Sequence, residues 1–342
     1  MAITRIGNPA IADQRGVNFR NIIINGDMSV AQRGTSATVS DGSNEGYSTV
    51  DRFYTNFNSG IGGAVDLTQD TTVPANQGFA KSLKIQCQTT STSFSGNMNL
   101  QIFQQIEAQN LQYLSYGSSS PKNIVFSFWC KTDNYTSPLS AIFRTMDGTV
   151  EYFVKSFTPT STWQKFTFSV PGSTSATIDN NSGAGLRVGI CLAGSTDNEA
   201  PDSTSWSTTR KDQTDTQGNF LSSTSNILYI TGLQLEAGQV ASDFEFLPYD
   251  VNLLRCQRYC YAWALYGTGN QNDNRQYSAA YGNSGSFIRI FYPTQMRVEP
   301  SITYTEGGGS LSTDYSNISN LQFFDSDDNA WYLYDVLAEA EI

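Results

Sequence analysis

The chain has 342 residues, of which 39% are hydrophobic and 13% aromatic, enough to bury an ordered core. Its formal net charge of −11 and its lack of any basic run exclude a nucleic-acid partner, because gripping a phosphate backbone needs a positive footprint. It has no histidine, which removes Ser-His-Asp and Cys-His catalysis and nearly all zinc designs.

Residues 1–20, beginning "MAITRIGNPA", are polar with scattered apolar positions and lack the apolar core and cleavage pattern of a secretory signal. From there strand signals dominate. "RNIIING" (20–26), "VDRFYTNF" (50–57), "KSLKIQC" (81–87), "NLQIFQQIE" (99–107) and "NIVFSFWCK" (123–131) are rich in β-branched and aromatic residues. So are "SAIFRTM" (140–146), "VEYFVKSF" (150–157), "TWQKFTFSV" (162–170), "LRVGICL" (186–192) and "NILYITGLQLE" (226–236). Turn clusters such as "SDGSNEG" (40–46), "MDGT" (146–149) and "DNNSGAG" (179–185) separate several of them. In "TWQKFTFSV", Phe166, Phe168 and Val170 fall on one face, with Trp163, Lys165, Thr167 and Ser169 on the other. Alternation with one apolar face predicts a sheet packed on one side, and the set predicts a two-sheet jelly-roll sandwich over residues 21–248. The polar stretch 194–226 reads as a long loop inserted before the last of these strands, and loops of that length are often functional or mobile.

Pro248 in "FEFLPYD" breaks what precedes it, and "VNLLRCQRYCYAWA" (251–264) is helix-capable, so 249–264 reads as a junction. Strand signals return in "GSFIRIFYP" (285–293), "PSITYT" (300–305), "NLQFFDS" (320–326) and "AWYLYDVLAEAEI" (330–342). The expected fold class is therefore all-β, a jelly-roll β-sandwich followed by a smaller C-terminal β domain over 265–342. No apolar run reaches the ~18 residues of a membrane-spanning helix, so no membrane insertion is expected. Five cysteines in so long a chain are too few and too odd for a disulfide framework. Cys87, Cys130 and Cys191 lie in apolar runs and are expected to be buried and reduced.

Several motifs in this order resemble a family of tailed-bacteriophage virion proteins, mostly tail-fibre or appendage proteins of marine and other bacterial viruses. They are "NIIINGDMSVAQRG" (21–34), "VDRF" (50–53), "FQQIEAQNL" (103–111), "ITGLQLEAG" (230–238), "FEFLPYDVNLLRCQRYCYAW" (244–263) and the ending "DVLAEAEI". The resemblance runs from Asn21 to the end. It implies a carbohydrate-binding-module-like jelly roll, a small terminal β domain, and a CQRY-type segment at the junction between them. For Cys256 and Cys260, spaced i, i+4, the readings are a structural seam, an intersubunit contact, or a metal or redox site. Arg255 and Arg258 are expected to pair with carboxylates such as Asp250 or with backbone carbonyls. In a virion protein, residues 1–20 would dock the appendage onto other virion proteins; the alternative is a first strand of the sandwich.

A sugar site needs an exposed aromatic face with amides, carboxylates or guanidinium groups around it. Trp129 is expected in the core, and Trp163 at the start of its strand fits either role. Trp206 in "DSTSWSTTR" is the expected exposed aromatic, with a loop anchor as the alternative. Tyr266, Tyr277 and Tyr281 flank Gly- and Asn-rich loops, with Asn270, Asn272 and Arg275 near enough to hydrogen-bond a sugar rim. No motif singles out the two carboxylates that glycoside hydrolysis requires, so no enzymatic activity is expected. No cofactor is expected; "FDSDDNA" (324–330) and "DGSNEG" (41–46) offer oxygen ligands for a structural calcium without EF-hand spacing. The strands "GSFIRIFYP" and "AWYLYDVL" are more apolar than so short a domain can bury alone, which predicts a homotrimer. The expected function is host-surface polysaccharide recognition by a virion appendage. The alternatives are a purely structural head-decoration or tail-assembly protein, and a glycan depolymerase.

Overall fold

The computed structural model describes residues 19–41, 43–58, 60–263, 276–277, 286–307, 312–325 and 332–342. The all-β expectation holds. In chain order the first ten strands are β1 (Ser36–Ser40), β2 (Tyr54–Phe57), β3 (Ala64–Asp70), β4 (Ser82–Thr89), β5 (Asn99–Glu107), β6 (Ile124–Asp133), β7 (Leu139–Thr145), β8 (Tyr152–Phe157), β9 (Gln164–Val170) and β10 (Ala184–Gly194). Two short strands, β11 (Glu199–Ala200) and β12 (Gln213–Thr214), precede the long β13 (Ile227–Ala237).

These strands build a jelly-roll sandwich of two antiparallel sheets. One has six strands in the order β1-β3-β4-β13-β6-β9, the other five in the order β2-β5-β10-β7-β8. Period-two patterning sets the faces. Leu83, Ile85 and Cys87 of β4 point into the core, as do Phe126, Phe128 and Cys130 of β6. Across the core, Phe126 meets Phe143 edge-on at 5.7 Å and Phe128 meets Phe157 at 5.2 Å. In β9 the expected alternation is found: Val170 is buried, Phe166 and Phe168 are half-buried, and the intervening residues are exposed.

Two strand expectations need correction. Residues 20–26 form no strand, although Ile22, Ile23 and Ile24 are buried. Side-chain amides satisfy this backbone instead. The Asn21 Oδ1 accepts from the Ile23 and Leu235 N–H groups, and Gln104 both donates to the Ile24 carbonyl and accepts from its N–H. Asn25 then adopts a left-handed φ of 61°, and Gly26 packs so closely that a Cβ would lie 2.0 Å from the Leu233 carbonyl oxygen. The bulge of β13 between Thr231 and Gln234 receives this turn, with the Leu233 N–H donating to the Gly26 carbonyl. In "VDRFYTNF" only Tyr54–Phe57 is strand.

The helix-capable segment also divides. An α-helix, α1, covers Tyr249–Gln257, and the chain then enters β14 (Cys260–Trp263). Cys256 therefore sits on a helix and Cys260 on a strand, and they do not share a helical face. The aromatic residues Tyr261 and Trp263 suit a pleated surface and pair with the final strand. The remaining strands are β15 (Gln276–Tyr277), β16 (Ser286–Phe291), β17 (Ser301–Gly307), β18 (Ser312–Ser316), β19 (Asn320–Asp325) and β20 (Tyr332–Glu339). β20 pairs with β14, β15 and β17, while β16, β19 and β18 form a separate sheet. Ile290, Leu321, Phe323, Leu333 and Val336 are among the buried residues of a second apolar cluster there.

All five cysteines are buried and unpaired. Cys256 and Cys260 lie in a seam packed with ion pairs. Arg258 grips Glu107 through two bonds of 2.8 and 2.9 Å, and the Tyr259 hydroxyl donates to the same carboxylate. Arg52 pairs with Glu341 and lies 3.5 Å from the Tyr259 ring centroid. Arg33 bonds Glu339 at 2.7 Å and Glu341 at 3.0 Å. Arg258 thus pairs with Glu107 rather than Asp250, while Arg255 donates to the Asn21 carbonyl. Asn252 of α1 donates to Asp27 and Ser29, and Gln32 donates to Asp51 and to the Cys260 carbonyl. The motifs "NGDM", "QRG", "VDRF", "CQRY" and the C-terminal "AEAEI" therefore meet at one place, and they hold the sandwich to the terminal segment.

Candidate functional site

The outer face of the five-stranded sheet carries a cleft of about 240 Å³. That is a little below the ~300–1,000 Å³ of pockets that enclose a drug-sized ligand. Alternation places its floor. With Leu186, Val188 and Ile190 of β10 in the core, Arg187 faces outward, and Phe143 of β7 in the core leaves Ile142 and Arg144 facing outward. Arg187 is the direct cross-strand partner of Arg144, and Arg144 is the partner of Tyr152 on β8. Asn56 of β2 and Gln101 of β5 are partners at the other end of the floor. Between them Gly189 adds no side chain, and none would fit: a Cβ would lie 2.1 Å from the Ile102 carbonyl oxygen.

The inserted stretch 194–226 forms one wall. It lies against the sheet: the Ser203 N–H donates to the Val154 carbonyl, the Thr214 N–H to the Ser140 hydroxyl, and Ser207 bridges to Tyr152 through two backbone bonds. Below it Ile142, Val154 and Cys191 form a small buried cluster. This brings Arg210, Lys211 and Asp212 to the cleft. The Arg210 Nε donates to Asp212 at 2.7 Å, and Gln101 donates to the Asp212 carbonyl at 3.2 Å. Burial raises the Asp212 carboxyl above its ordinary range, against the lowering effect of Arg210.

The two floor arginines are bound differently. The Arg187 guanidinium lies 3.8 Å from the Phe103 ring centroid, and that of Arg144 lies 5.2 Å from the Tyr152 centroid. Each Nε is buried without a hydrogen-bond partner. Burial, with the neighbouring Arg144 charge added, brings Arg187 down to about 10. The cleft as a whole presents amides, a tyrosine ring and cations.

No protein-family model matches the chain. No curated protein matches it significantly. Among solved structures it is similar to the enzymatically active domain of tailspike protein 4 of bacteriophage CBA120, at 11% identity over 64% of this chain, with a TM-score of 0.34. The chain spans 22% of the length of that tailspike chain. It is also similar to the family 11 carbohydrate-binding module of a cellulosomal cellulase of Clostridium thermocellum, at 12% identity over 64% of this chain and 96% of that one, TM-score 0.32. A third is the xylan-binding domain of Paenibacillus barcinonensis Xyn10C, at 12% identity over 60% of this chain and 94% of that one, TM-score 0.28.

Trp206 is not the exposed ring expected. It is half-buried, its Nε1 donates to the Pro171 carbonyl at 2.6 Å, and its ring packs against Tyr116 and Phe153. It anchors the loop whose next residues line the cleft. Tyr266, Asn270, Asn272, Arg275 and Tyr281 lie outside the described residues. Tyr277 falls in β15, paired with Tyr332, and its side chain is likewise outside them. Trp129 is half-buried rather than in the core, because Phe128 and Cys130 take the inward positions of β6. Trp163 is half-buried, 6.4 Å from Tyr229. Of the calcium candidates, Asp41 accepts from the Gly60 N–H and Glu45 from the Tyr54 hydroxyl, while residues 326–330 lie outside the described residues. Among the described residues no group of three or more metal-ligating side chains converges, and no helix is long and apolar enough to cross a membrane.

Sequence reasoning missed Arg144, Arg187, Arg210 and Lys211. Arg144 in "AIFRTM" and Arg187 in "GLRVGIC" each interrupt an apolar strand with a charge, the one signal available.

Proposed function

We propose that this protein is a non-catalytic glycan-binding component of a bacteriophage virion, a tail-fibre or appendage protein that engages polysaccharide on the host surface. The cleft on the outer face of the five-stranded sheet carries this reading: a polar floor with an aromatic and amides, walled by an ordered loop. The virion assignment draws on the order of motifs from Asn21 to the C-terminus. The cleft lining contains a single carboxylate, Asp212, hydrogen-bonded to Arg210, where glycoside hydrolysis commonly uses two. A homotrimer fits the apolar terminal strands, and Phe291 of β16 leaves 67% of its surface exposed in the single chain.

Affinity electrophoresis of the full chain against host envelope polysaccharides tests the binding. Retardation is expected, without release of reducing ends and with hydrogen-exchange protection on the Ser207–Asp215 loop. Retardation by none of the polysaccharides, or protection confined elsewhere, would remove the assignment. Mass measurement in solution at micromolar concentration is expected to give a trimer, and a stable monomer would contradict that part.

A further inference from the structure

The cleft is positively charged in a protein whose formal net charge is −11. Arg144, Arg187, Arg210 and Lys211 line it, against one carboxylate, Asp212. That carboxylate is bonded to Arg210 at 2.7 Å. Arg144 and Arg187 form no ion pair and no hydrogen bond among the described residues, and the buried Nε of each is unsatisfied. They are also direct cross-strand partners. Like charges placed directly opposite on neighbouring strands weaken a sheet. A buried donor without an acceptor weakens it further. Aromatic faces hold the two guanidinium groups in place, Phe103 beneath Arg187 and Tyr152 beside Arg144. The fold therefore keeps two positioned cations with no carboxylate bonded to either, and the nearby Asp212, which they feel through space, is bonded to Arg210.

We infer that the cleft takes an acidic glycan, one whose sugars carry a carboxylate or sulfate that the Arg144–Arg187 pair binds. This rests on the glycan-binding reading above and narrows it to a substrate class. Guanidinium groups match planar oxyanions through paired N–H donors, and such charge-assisted bonds are about twice as strong as neutral ones. The anion would pair with the terminal guanidinium nitrogens and cancel the like-charge repulsion. Gly189, in the next cross-strand row, lets the Ile102–Phe103 backbone approach closely, and this seats Phe103 beneath Arg187. Asn56 and Gln101 lie farther along the floor, their amide donors bonded to Asn99 and to the Asp212 carbonyl, and they shape its polar end. Burial first and then the Arg144 charge lower the proton affinity of Arg187, and Asp212 offsets them only in part.

The test uses the full chain with four polymers: alginate, carboxyl-reduced alginate, dextran sulfate and single-stranded DNA. Binding of alginate or dextran sulfate is expected to exceed that of carboxyl-reduced alginate by on the order of tenfold or more. Which of the two is held identifies the acid as carboxylate or sulfate. The double variant Arg144→Gln/Arg187→Gln is expected to lose that margin, and Arg144→Lys/Arg187→Lys to recover part of it. Alginate and dextran sulfate both held no more tightly than carboxyl-reduced alginate would overturn the acidic class and leave glycan binding standing. Binding of no polysaccharide, neutral or acidic, would remove both. DNA bound as tightly as the acidic glycan, with the same dependence on the two arginines, would replace the glycan with a nucleic acid.

Discussion

Arginine is used in opposite ways at two places in this molecule. In the seam beneath α1, Arg52 is 1% exposed and paired with Glu341, and its second terminal nitrogen donates to the Gln105 carbonyl at 2.7 Å. Burial works against its charge, but the neighbouring acids, Glu341 first, outweigh that and hold it above its ordinary range. Arg258 is likewise raised by its hydrogen bonds to Glu107. In the cleft, Arg187 rests on the Phe103 face with no bonded carboxylate among the described residues; burial first and then the Arg144 charge outweigh the pull of Asp212, and it is lowered. A charge removed from water is stable only with a partner. The seam supplies its partners from within the chain, which makes those arginines structural. The cleft does not, which points to a partner from outside.

The largest effect should come from breaking the seam. Glu341→Ala leaves Arg52 buried with one carbonyl acceptor and takes a partner from Arg33. Breaking a buried pair from one side costs about 3–5 kcal/mol. Chemical denaturation should show a loss of that order, and a thiol reagent should reach Cys256 and Cys260 before Cys191, which lies under the cleft loop. A loss under about 1 kcal/mol would mean that the seam is solvated and the contrast false.

A second test uses pH. Burial raises Asp51 to about 6, against the lowering effect of Arg33 and Gln32. Its folded-state value therefore lies above the ordinary 3.8, so the folded chain holds this proton more tightly than the unfolded one. The contribution favours folding at acid pH and is lost as pH rises through about 6. Glu107 has the opposite sign: although burial raises it, its bonds to Arg258 and Tyr259 prevail and lower it below 4.5. Its contribution is present above that value and lost on further acidification. Stability measured from pH about 7 down to about 5 should therefore rise more in the wild type than in Asp51→Asn. Equal slopes would show that Asp51 carries no such proton.

The sandwich was legible because its signal is local. Alternation in "TWQKFTFSV" and the apolar Leu100, Ile102 and Ile106 of "NLQIFQQIE" each follow from which faces are covered. The irregular run Asn21–Gly26 was not, since its backbone is satisfied by Asn21 and by Gln104, about 80 residues away in sequence, and such pairing leaves no periodic trace. The same holds for the site. The length of 194–226 is that of loops that are often functional or mobile, but the polar neighbours of Trp206 suggest an exposed ring as readily as an anchor, and the anchoring Pro171 carbonyl is distant in sequence. Arg144 and Arg187 become a pair only through the register of β7 against β10.

The smallest effect on stability, and the sharpest on meaning, should come from the cleft. In Arg144→Gln/Arg187→Gln the like charges facing each other across β7 and β10 disappear, along with two buried Nε donors that have no partner. Cross-strand pairs of this kind are worth roughly 0.2–1 kcal/mol, and the lost stacking on Phe103 and Tyr152 acts against the gain. Denaturation should therefore show a change within about 1 kcal/mol of zero, of either sign. This is the reverse of the seam, where removing one charged group strands another. If the double variant instead loses as much as Glu341→Ala, the two arginines are part of the scaffold, and the cleft needs no outside anion to explain them.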